Sequence, residues 1–316
     1  MARFGFTTCF GDLLHGYVAN RHQVIHHDQL TRREQLPDSS TWTDEKVFSA
    51  VGSAQYLEDP NHSIVQVSED TVVKLSSDTA EALAMDLVRK QTQIATPYMR
   101  RIIPHIHSEG YALIVMDFVP NSQQLGVAWP SLSLWRKLKV ILTIRLYLRQ
   151  LRRIQYPPSA NQPGPLGPKP SRCDGLQFGL DPKGPFPTIS ALEAYFRQEH
   201  KNALYRASRS WAPHPSCEPL DSSAFTSLVF THNDLNMRNL LLDSNDVLWM
   251  IDFGFSGFYP PWFEYLGMRF ASQKDEDPES WQKCIKYMAE PAVEIEEWVK
   301  KIGYDYTNPK KPRVAR

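Results

Sequence analysis

The sequence has no excess of charge of either sign, because 35 lysines and arginines balance 35 aspartates and glutamates over 316 residues. A balanced charge argues against a surface that is drawn as a whole to nucleic acid or to anionic membrane. No apolar run approaches the ~20 residues of a membrane span, and no basic N-terminal region precedes an apolar core. We therefore expect neither a nucleic-acid nor a membrane partner.

Cysteine is also scarce, with four residues in the chain. They are widely scattered and form no CxxC pair, which favours free thiols in a reducing compartment over a disulfide framework or a zinc site. A cytoplasmic protein is the expectation. The hydrophobic content of 42% is enough for one large domain or two modest domains, each with a core.

The most informative stretch is 231–254, in which polar residues alternate with short apolar runs. The runs 240–242 and 247–251 flank a polar break and predict a tight hairpin. Such a hairpin brings the residues before its first strand close to those after its second, so Asp234, Asn239 and Asp252 should converge. Carboxylate and amide oxygens gathered in this way suit Mg²⁺. An aspartate left free of the metal could orient a hydroxyl group and accept its proton.

The spacing His-x-Asp-x-x-x-x-Asn, followed by a strand and Asp-Phe-Gly, matches the catalytic and metal loops of kinases. Asn233 stands where protein kinases have arginine, so the run His232-Asn233-Asp234-Leu235 resembles the HGDL/HNDL form of the aminoglycoside phosphotransferase and choline kinase family. The segment 257–265, GFYPPWFEY, resembles a GxYPxxxEY continuation of fungal-type members.

This resemblance implies an α+β, two-lobed protein-kinase-like fold with a small antiparallel-sheet N-lobe and a mainly helical C-lobe. It divides the chain into an N-terminal extension (1–46), the N-lobe with its hinge (47–119), the C-lobe (120–306) and a basic tail (307–316). The implied activity is transfer of the ATP γ-phosphate to a hydroxyl of a small molecule. Asp234 would be the catalytic base, His232 would support the catalytic loop, and Asn239 and Asp252 would hold Mg²⁺.

The N-lobe carries the expected nucleotide contacts. Segments 63–67 and 71–75 predict a hairpin, and the resemblance places Lys74 against the α and β phosphates. Glu81 either closes a capping box with Asp78 or pairs with Lys74; the resemblance favours the pair. A strand over 111–116 then leads into the hinge, where the expected adenine contacts are Met116, Asp117, Phe118 and Val119.

The C-lobe begins with a predicted helix over 133–154, whose apolar stripe indicates a core element. The stripe consists of Leu134, Leu138, Ile141, Ile144, Leu148 and Leu151. Residues 156–188 are rich in proline and glycine and predict a long loop, which the resemblance places on the acceptor side. Helices are expected over 190–203 and, as one or two segments, over 279–302. The acidic group at 275–279 is interpreted as a solvated face, with a cationic substrate as the alternative.

One kinase feature is missing, since no GxGxxG precedes Lys74 and Gly52 is the only glycine between Val47 and Lys74. A catalytically weak pseudokinase or a nucleotide-binding regulatory module is therefore the first alternative. A protein kinase is the second. The Ala-Pro-Glu segment of protein kinases has no match after Asp252, which argues against a protein substrate.

Overall fold

The structure is a computed structural model that describes residues 42–53, 63–76, 79–104, 112–155, 162–179, 181–209 and 218–302. Its contacts divide the chain into two units, 1–52 and 53–316. Helix α1 (Asp44–Ser53) belongs almost entirely to the first unit. The predicted tail and most of the predicted N-terminal extension lie outside the described residues, as does Asp78.

The second unit begins with an antiparallel sheet in the order β1-β2-β4-β3. Its strands are β1 (Ile64–Ser68), β2 (Thr71–Ser76), β3 (Met99–Pro104) and β4 (Ala112–Asp117). The predicted hairpin is confirmed, with Val65 opposite Val73. Helix α2 (Ala80–Gln91) follows β2, and its small buried residues Ala82 and Ala84 allow it to pack closely into the core.

The rest of the unit is mainly helical with two small sheets, β5-β8-β9 and β6-β10-β7. The strands are β5 (Ser122–Gln124), β6 (Gly164–Pro165), β7 (Val229–Thr231), β8 (Leu240–Asp243), β9 (Leu248–Met250) and β10 (Gly257–Tyr259). The helices are α3 (Leu125–Ala128), α4 (Leu134–Leu151), α5 (Ile189–Ser208), α6 (Trp262–Lys274), α7 (Glu279–Gln282), α8 (Ile285–Met288) and α9 (Val293–Lys301).

The core of this lobe is aromatic. Phe263 on α6 lies against Trp262 at a ring-centroid distance of 4.3 Å and against Tyr259 at 5.0 Å. Phe178 and Phe196 continue the cluster from the insert and from α5. Since aromatic side chains contribute the largest buried areas, this cluster fixes α6 directly beneath the polar loops that follow β7.

Helix α4 corrects part of the predicted apolar stripe. Ile141, Ile144, Leu148 and Leu151 are buried, but Leu134 is 86% exposed and Leu138 is 38% exposed. All six residues lie on one side of the helix, so the period was interpreted correctly. The first turn of the helix is not covered by the neighbouring elements that the structure describes. Periodicity identifies the apolar face of a helix but not how far along the helix that face is buried.

The insert is more ordered than a plain loop. Its strand β6 pairs with β10, where a Cβ on Gly257 would lie 2.2 Å from the carbonyl oxygen of Gly164. Only glycine fits that approach. The remaining described part is largely irregular, as predicted, apart from a short 3-10 turn at Leu176–Phe178.

Near the C-terminus, the segment predicted as one or two helices forms three, α7 to α9. These helices bury Trp281, Ile285, Met288, Trp298 and, at the C-terminal end of the last one, Ile302. Among the described cysteines, Cys173 and Cys284 are free thiols, as expected. In the described part of the chain, no helix has the length and apolar character needed to cross a membrane.

Candidate active site

The β8–β9 hairpin brings the predicted metal ligands to one end, as its pattern indicated. Leu241 pairs with Trp249 in the middle of the hairpin. Asn239 directly precedes β8, and Asp252 follows β9 by two residues. The Ile251 N–H donates to the Asn239 carbonyl oxygen at 3.0 Å, which continues the ladder past the strand ends.

Asp234 lies between two side-chain amides in the loop before β8. The Asn239 amide donates to its carboxylate at 3.0 Å, and the Asn236 amide donates to the other carboxylate oxygen at 3.2 Å. Asn236 also accepts from the backbone N–H of Asn239 at 3.1 Å, which fixes the turn. Burial, followed by the charge of Asp252, raises the pKa of Asp234 to about 6. The carboxylate is therefore more basic than an exposed aspartate.

Asn233 is the residue at which this loop departs from the protein-kinase pattern. Its φ of 66° lies in the left-handed region, which asparagine tolerates better than most residues. Its side-chain amide donates to the Asp174 carbonyl oxygen at 2.9 Å and so ties the catalytic loop to the insert. A Cβ on Gly175 would lie 2.6 Å from this amide nitrogen, so the insert passes close to the loop only because residue 175 has no side chain.

Lys74 joins the sheet of β1 to β4 to the loop that follows β9. Its ammonium lies 2.8 Å from Glu81 Oε1 and 2.7 Å from Asp252 Oδ1. Burial alone would lower the pKa of Lys74, but the charges of Glu81 and Asp252 outweigh it, so the pKa is raised and the ammonium stays protonated. The structure thus forms the Lys74–Glu81 pair. At the start of α2, Thr79 makes no side-chain cap.

The two carboxylates around Lys74 differ in exposure. The Glu81 side chain is 3% exposed, whereas that of Asp252 is 38% exposed. Lys74 holds the pKa of Asp252 below its ordinary value, although burial acts in the opposite direction. Glu81 is therefore placed to hold the lysine, and Asp252 is the carboxylate that a ligand can reach.

His232 is fully buried beneath the loop, with its ring 4.8 Å from that of Phe253. Its Nε2 lies 2.9 Å from the Ile251 carbonyl oxygen, which identifies Nε2 as the protonated nitrogen because a carbonyl only accepts. Burial lowers the pKa of His232 to about 4, so the ring is neutral. These contacts are those of a residue that supports the loop by packing and hydrogen bonding.

Glu264 is the glutamate of the segment 257–265, to which the sequence assigned no role of its own. It lies on α6 with 2% exposure, and its Oε2 accepts from the His232 backbone N–H at 2.7 Å. Burial raises its pKa to about 7. Two sequence signals pointed to it: its place in the segment GFYPPWFEY, and an acidic residue inside the apolar run WFEYLGMRF, where a carboxylate needs a partner.

The four predicted hinge residues have distinct environments. Met116 and Asp117 belong to β4, where Met116 is buried in the sheet. The Phe118 N–H donates to the Asp70 carbonyl oxygen at 2.8 Å, so it is already engaged. The Val119 carbonyl oxygen accepts from the Ser122 hydroxyl at 2.7 Å, while the Val119 N–H donates no hydrogen bond among the described residues.

The acidic group at 275–279 is only partly the solvated face that was expected. Asp275 pairs with Arg238 of the catalytic loop at 2.7 Å, and Glu279 pairs with Lys283 at 2.7 Å. Asp277 is partly buried, and burial raises its pKa to about 6. Asp275 therefore links the C-terminal end of α6 to Arg238 in the loop before β8.

Comparison with known proteins gives one match to a family: residues 179–281 match the phosphotransferase enzyme family, APH. The matched stretch contains Asp234, Asn239 and Asp252. The resemblance to aminoglycoside phosphotransferases and choline kinases is thereby confirmed, whereas nothing supports the narrower expectation of a fungal-type member. No curated protein matches the chain.

One solved structure shows the fold, and two others are similar to the chain with lower scores. The gentamicin complex of APH(2″)-IIa aligns with a TM-score of 0.50 and 15% identity, over 82% of this chain and 86% of that one. The streptomycin–ATP ternary complex of APH(2″)-IIa gives 0.48 and 14%, over 84% and 93%. Choline kinase LicA from Streptococcus pneumoniae gives 0.45 and 13%, over 86% and 91%. The fold is two-lobed and protein-kinase-like, with the small sheet in one lobe and most helices in the other.

Proposed function

We propose that this protein is an ATP-dependent phosphotransferase that moves the γ-phosphoryl group of ATP to a hydroxyl of a small molecule. One observation carries the proposal. Lys74, Asp252, Asn239 and Asp234 come from three separated segments, yet hydrogen bonds join them as two close pairs at one end of a single hairpin. Kinase chemistry needs these four groups for the phosphates, the metal and the acceptor hydroxyl.

The residues at the metal position fit Mg²⁺. The Asn239 side chain donates through its nitrogen to Asp234, which leaves its oxygen for a cation. Asp252 engages Lys74 through Oδ1, which leaves Oδ2. The described residues contain no group of three or more His, Cys, Asp or Glu side chains that could enclose a metal ion. Mg²⁺ often takes few protein ligands and completes its shell with water and substrate phosphates, where it neutralises phosphate charge.

Lys74 would serve the nucleotide phosphates. Glu81 is buried and holds the ammonium at 2.8 Å, so the charge stays in place when Asp252 turns to the cation. Because phosphoryl transfer proceeds through a loose transition state, a fixed positive charge at the phosphates lowers the barrier without covalent chemistry.

Asp234 would act on the acceptor. Its carboxylate accepts the proton of the attacking hydroxyl as the new oxygen–phosphorus bond forms and the bond from the γ-phosphorus to the ADP oxygen breaks. ADP leaves with that electron pair. The two amides that bracket Asp234 hold its oxygens in place, and the raised pKa favours proton acceptance near neutral pH.

The hinge and the insert would supply recognition. The Val119 N–H is the hinge donor left for the adenine base, since the Phe118 N–H is committed to Asp70. The insert contacts the catalytic loop through Asp174 and Asn233, which supports a role for it on the acceptor side. The half-buried carboxylate of Asp174, which accepts the Gly175 N–H through Oδ1, would suit a cationic acceptor. Asn233, which donates to the Asp174 carbonyl oxygen, directly precedes the proposed base Asp234 in the sequence.

The test is ADP formation from MgATP in the presence of a library of small hydroxyl compounds. Asp234→Asn should abolish turnover, because it keeps the shape of the side chain and removes its basicity. Asp246→Asn is the matched control: it makes the same change at the opposite end of the same hairpin, in the exposed turn. Turnover that survives Asp234→Asn would contradict the assigned base. MgATP binding without any turnover would favour the regulatory module.

A further inference from the structure

The sheet of the N-lobe has two irregularities at the end that leads into the hinge. Between β3 and β4, Met99 pairs with Met116 and Arg101 with Val115, so Arg100 is an extra residue on β3. Between β1 and β2 a second shift occurs next to Thr71. A β-bulge redirects the side chain that it carries. The bulge at Arg100 turns its guanidinium toward the β1–β2 turn and the end of β4.

Arg100 there holds two carboxylates at once. Its Nε lies 2.6 Å from Asp117 Oδ1, and one terminal nitrogen lies 2.9 Å from Asp70 Oδ2 and 3.1 Å from the Asp70 carbonyl oxygen. The other terminal nitrogen donates to Thr71 Oγ1 at 2.9 Å. The side chains of Arg100 and Asp117 are 14% and 12% exposed. A planar fork with several fixed donors suits this arrangement, and lysine could not reproduce it.

Asp70 is itself fixed by the turn in which it lies. Ser68 and Thr71 donate to its Oδ1 at 2.7 and 2.8 Å. Burial would raise the pKa of Asp70, but the hydrogen bonds from Ser68, Arg100 and Thr71 outweigh it and lower the pKa to about 2. The carboxylate is therefore charged at every working pH, and the turn offers a rigid anchor.

Two consecutive hinge residues depend on this anchor. Arg100 ties the Asp117 side chain to Asp70, and the Phe118 N–H donates to the Asp70 carbonyl oxygen at 2.8 Å. The next residue is Val119, whose N–H is the proposed donor to the base. The direction of that N–H is set by the backbone just before it.

We propose that Arg100 is a positioning residue for the nucleotide base: by joining Asp117 to Asp70 it fixes the backbone that presents the Val119 N–H. This inference rests on the proposed function, because it presumes a nucleotide at the hinge. Arg100 does not touch the base or the phosphates. Its loss should therefore weaken recognition of the base and leave recognition of the phosphates at Lys74 unchanged.

Three probes separate these two effects in wild type and in Arg100→Gln: MgATP, adenosine without phosphates, and magnesium tripolyphosphate without a base. Affinity for MgATP and adenosine should fall roughly tenfold, the effect of one lost hydrogen bond to a charged group. Affinity for tripolyphosphate and kcat at saturating MgATP should change less than about twofold, within the scatter of a surface substitution. Arg136→Gln, which removes an exposed arginine–aspartate pair on α4, is the matched control and should change none of these.

Asp117→Asn provides a second test if Arg100→Gln does not fold, since it keeps the shape of the side chain and should show the same split. Arg100→Lys keeps the charge without the fork and should not rescue adenosine affinity. Equal losses for adenosine and tripolyphosphate would show a general structural role and overturn the inference. Unchanged adenosine affinity in both variants would overturn it too. Wild-type protein that binds none of the three probes would instead refute the proposed function, and this inference with it.

Discussion

The buried carboxyl of Glu264 makes a quantitative prediction about stability and pH. It lies in α6 beneath the catalytic loop, at 2% exposure, and accepts the His232 N–H at 2.7 Å. Burial is the main cause that raises its pKa from 4.5 to about 7, with the charge of Asp234 acting in the same direction. The proposed substitution is Glu264→Gln, which keeps the shape and a hydrogen-bond acceptor but cannot ionise.

The sign follows from the linkage between protonation and folding. Between pH 4.5 and about 7 the unfolded chain has released this proton while the folded protein keeps it, so the folded state binds more protons. The free energy of unfolding therefore falls as the pH rises through this window. At about 1.4 kcal/mol for each unit of pKa, the raised value corresponds to about 3 kcal/mol. This contribution of Glu264 to the free energy of unfolding is fully present below pH 4.5 and is lost above about pH 7.

Urea unfolding, followed by tryptophan fluorescence at several pH values from 4 to 8, measures this effect. The difference in unfolding free energy between Glu264→Gln and wild type should shift in favour of the variant by about 3 kcal/mol across the window. Glu294→Gln, on an exposed side chain of α9, controls for the substitution itself. Parallel curves for wild type and Glu264→Gln would refute the reasoning, because they would mean that Glu264 does not keep its proton on folding.

Three further predictions concern the site and the fold. Gly175→Ala should lower both kcat and the melting temperature, because its φ is +134° and the new Cβ would lie 2.6 Å from Asn233 Nδ2; unchanged kcat would contradict the contact between insert and catalytic loop. Lys74→Met should abolish ADP formation and weaken tripolyphosphate binding, measured by thermal shift, while adenosine binding persists; loss of all binding would indicate misfolding instead. Ile144→Ala should cost about 2–5 kcal/mol in urea unfolding and Leu134→Ala less than about 0.5, and similar costs would contradict the exposed start of α4.

Much of the site follows from local pattern in the sequence. The alternation of apolar runs with a polar break predicted the β8–β9 hairpin, and a hairpin necessarily brings its two ends together. Asp234, Asn239 and Asp252 were therefore placed near one another correctly. Lys74 and Glu81 lie seven residues apart, across one strand end and one helix start, but local pattern left Glu81 between a helix cap and this pair, and the family resemblance favoured the pair.

Family resemblance contributed what local pattern did not. The HNDL and DFG motifs predicted a two-lobed fold, and the comparisons confirm it. The exposed beginning of α4 shows where such reasoning ends. A period of 3.6 residues identifies the face of a helix but not the point at which neighbouring elements stop covering it, and so Leu134 was wrongly placed in the core.

The sequence by itself thus determined the hairpin and its polar end, because both depend on residues close along the chain, and the family resemblance added the lysine–glutamate pair. Only the tertiary structure decided that Glu264 supports the loop from 32 residues away. The same holds for Arg100, which joins the β1–β2 turn to the hinge across 30 and 17 residues. Neither the buried carboxylate of Glu264 nor the bulge at Arg100 produces a periodic pattern in the sequence. Their partners are set by how sheets and helices pack, which is a property of the whole fold.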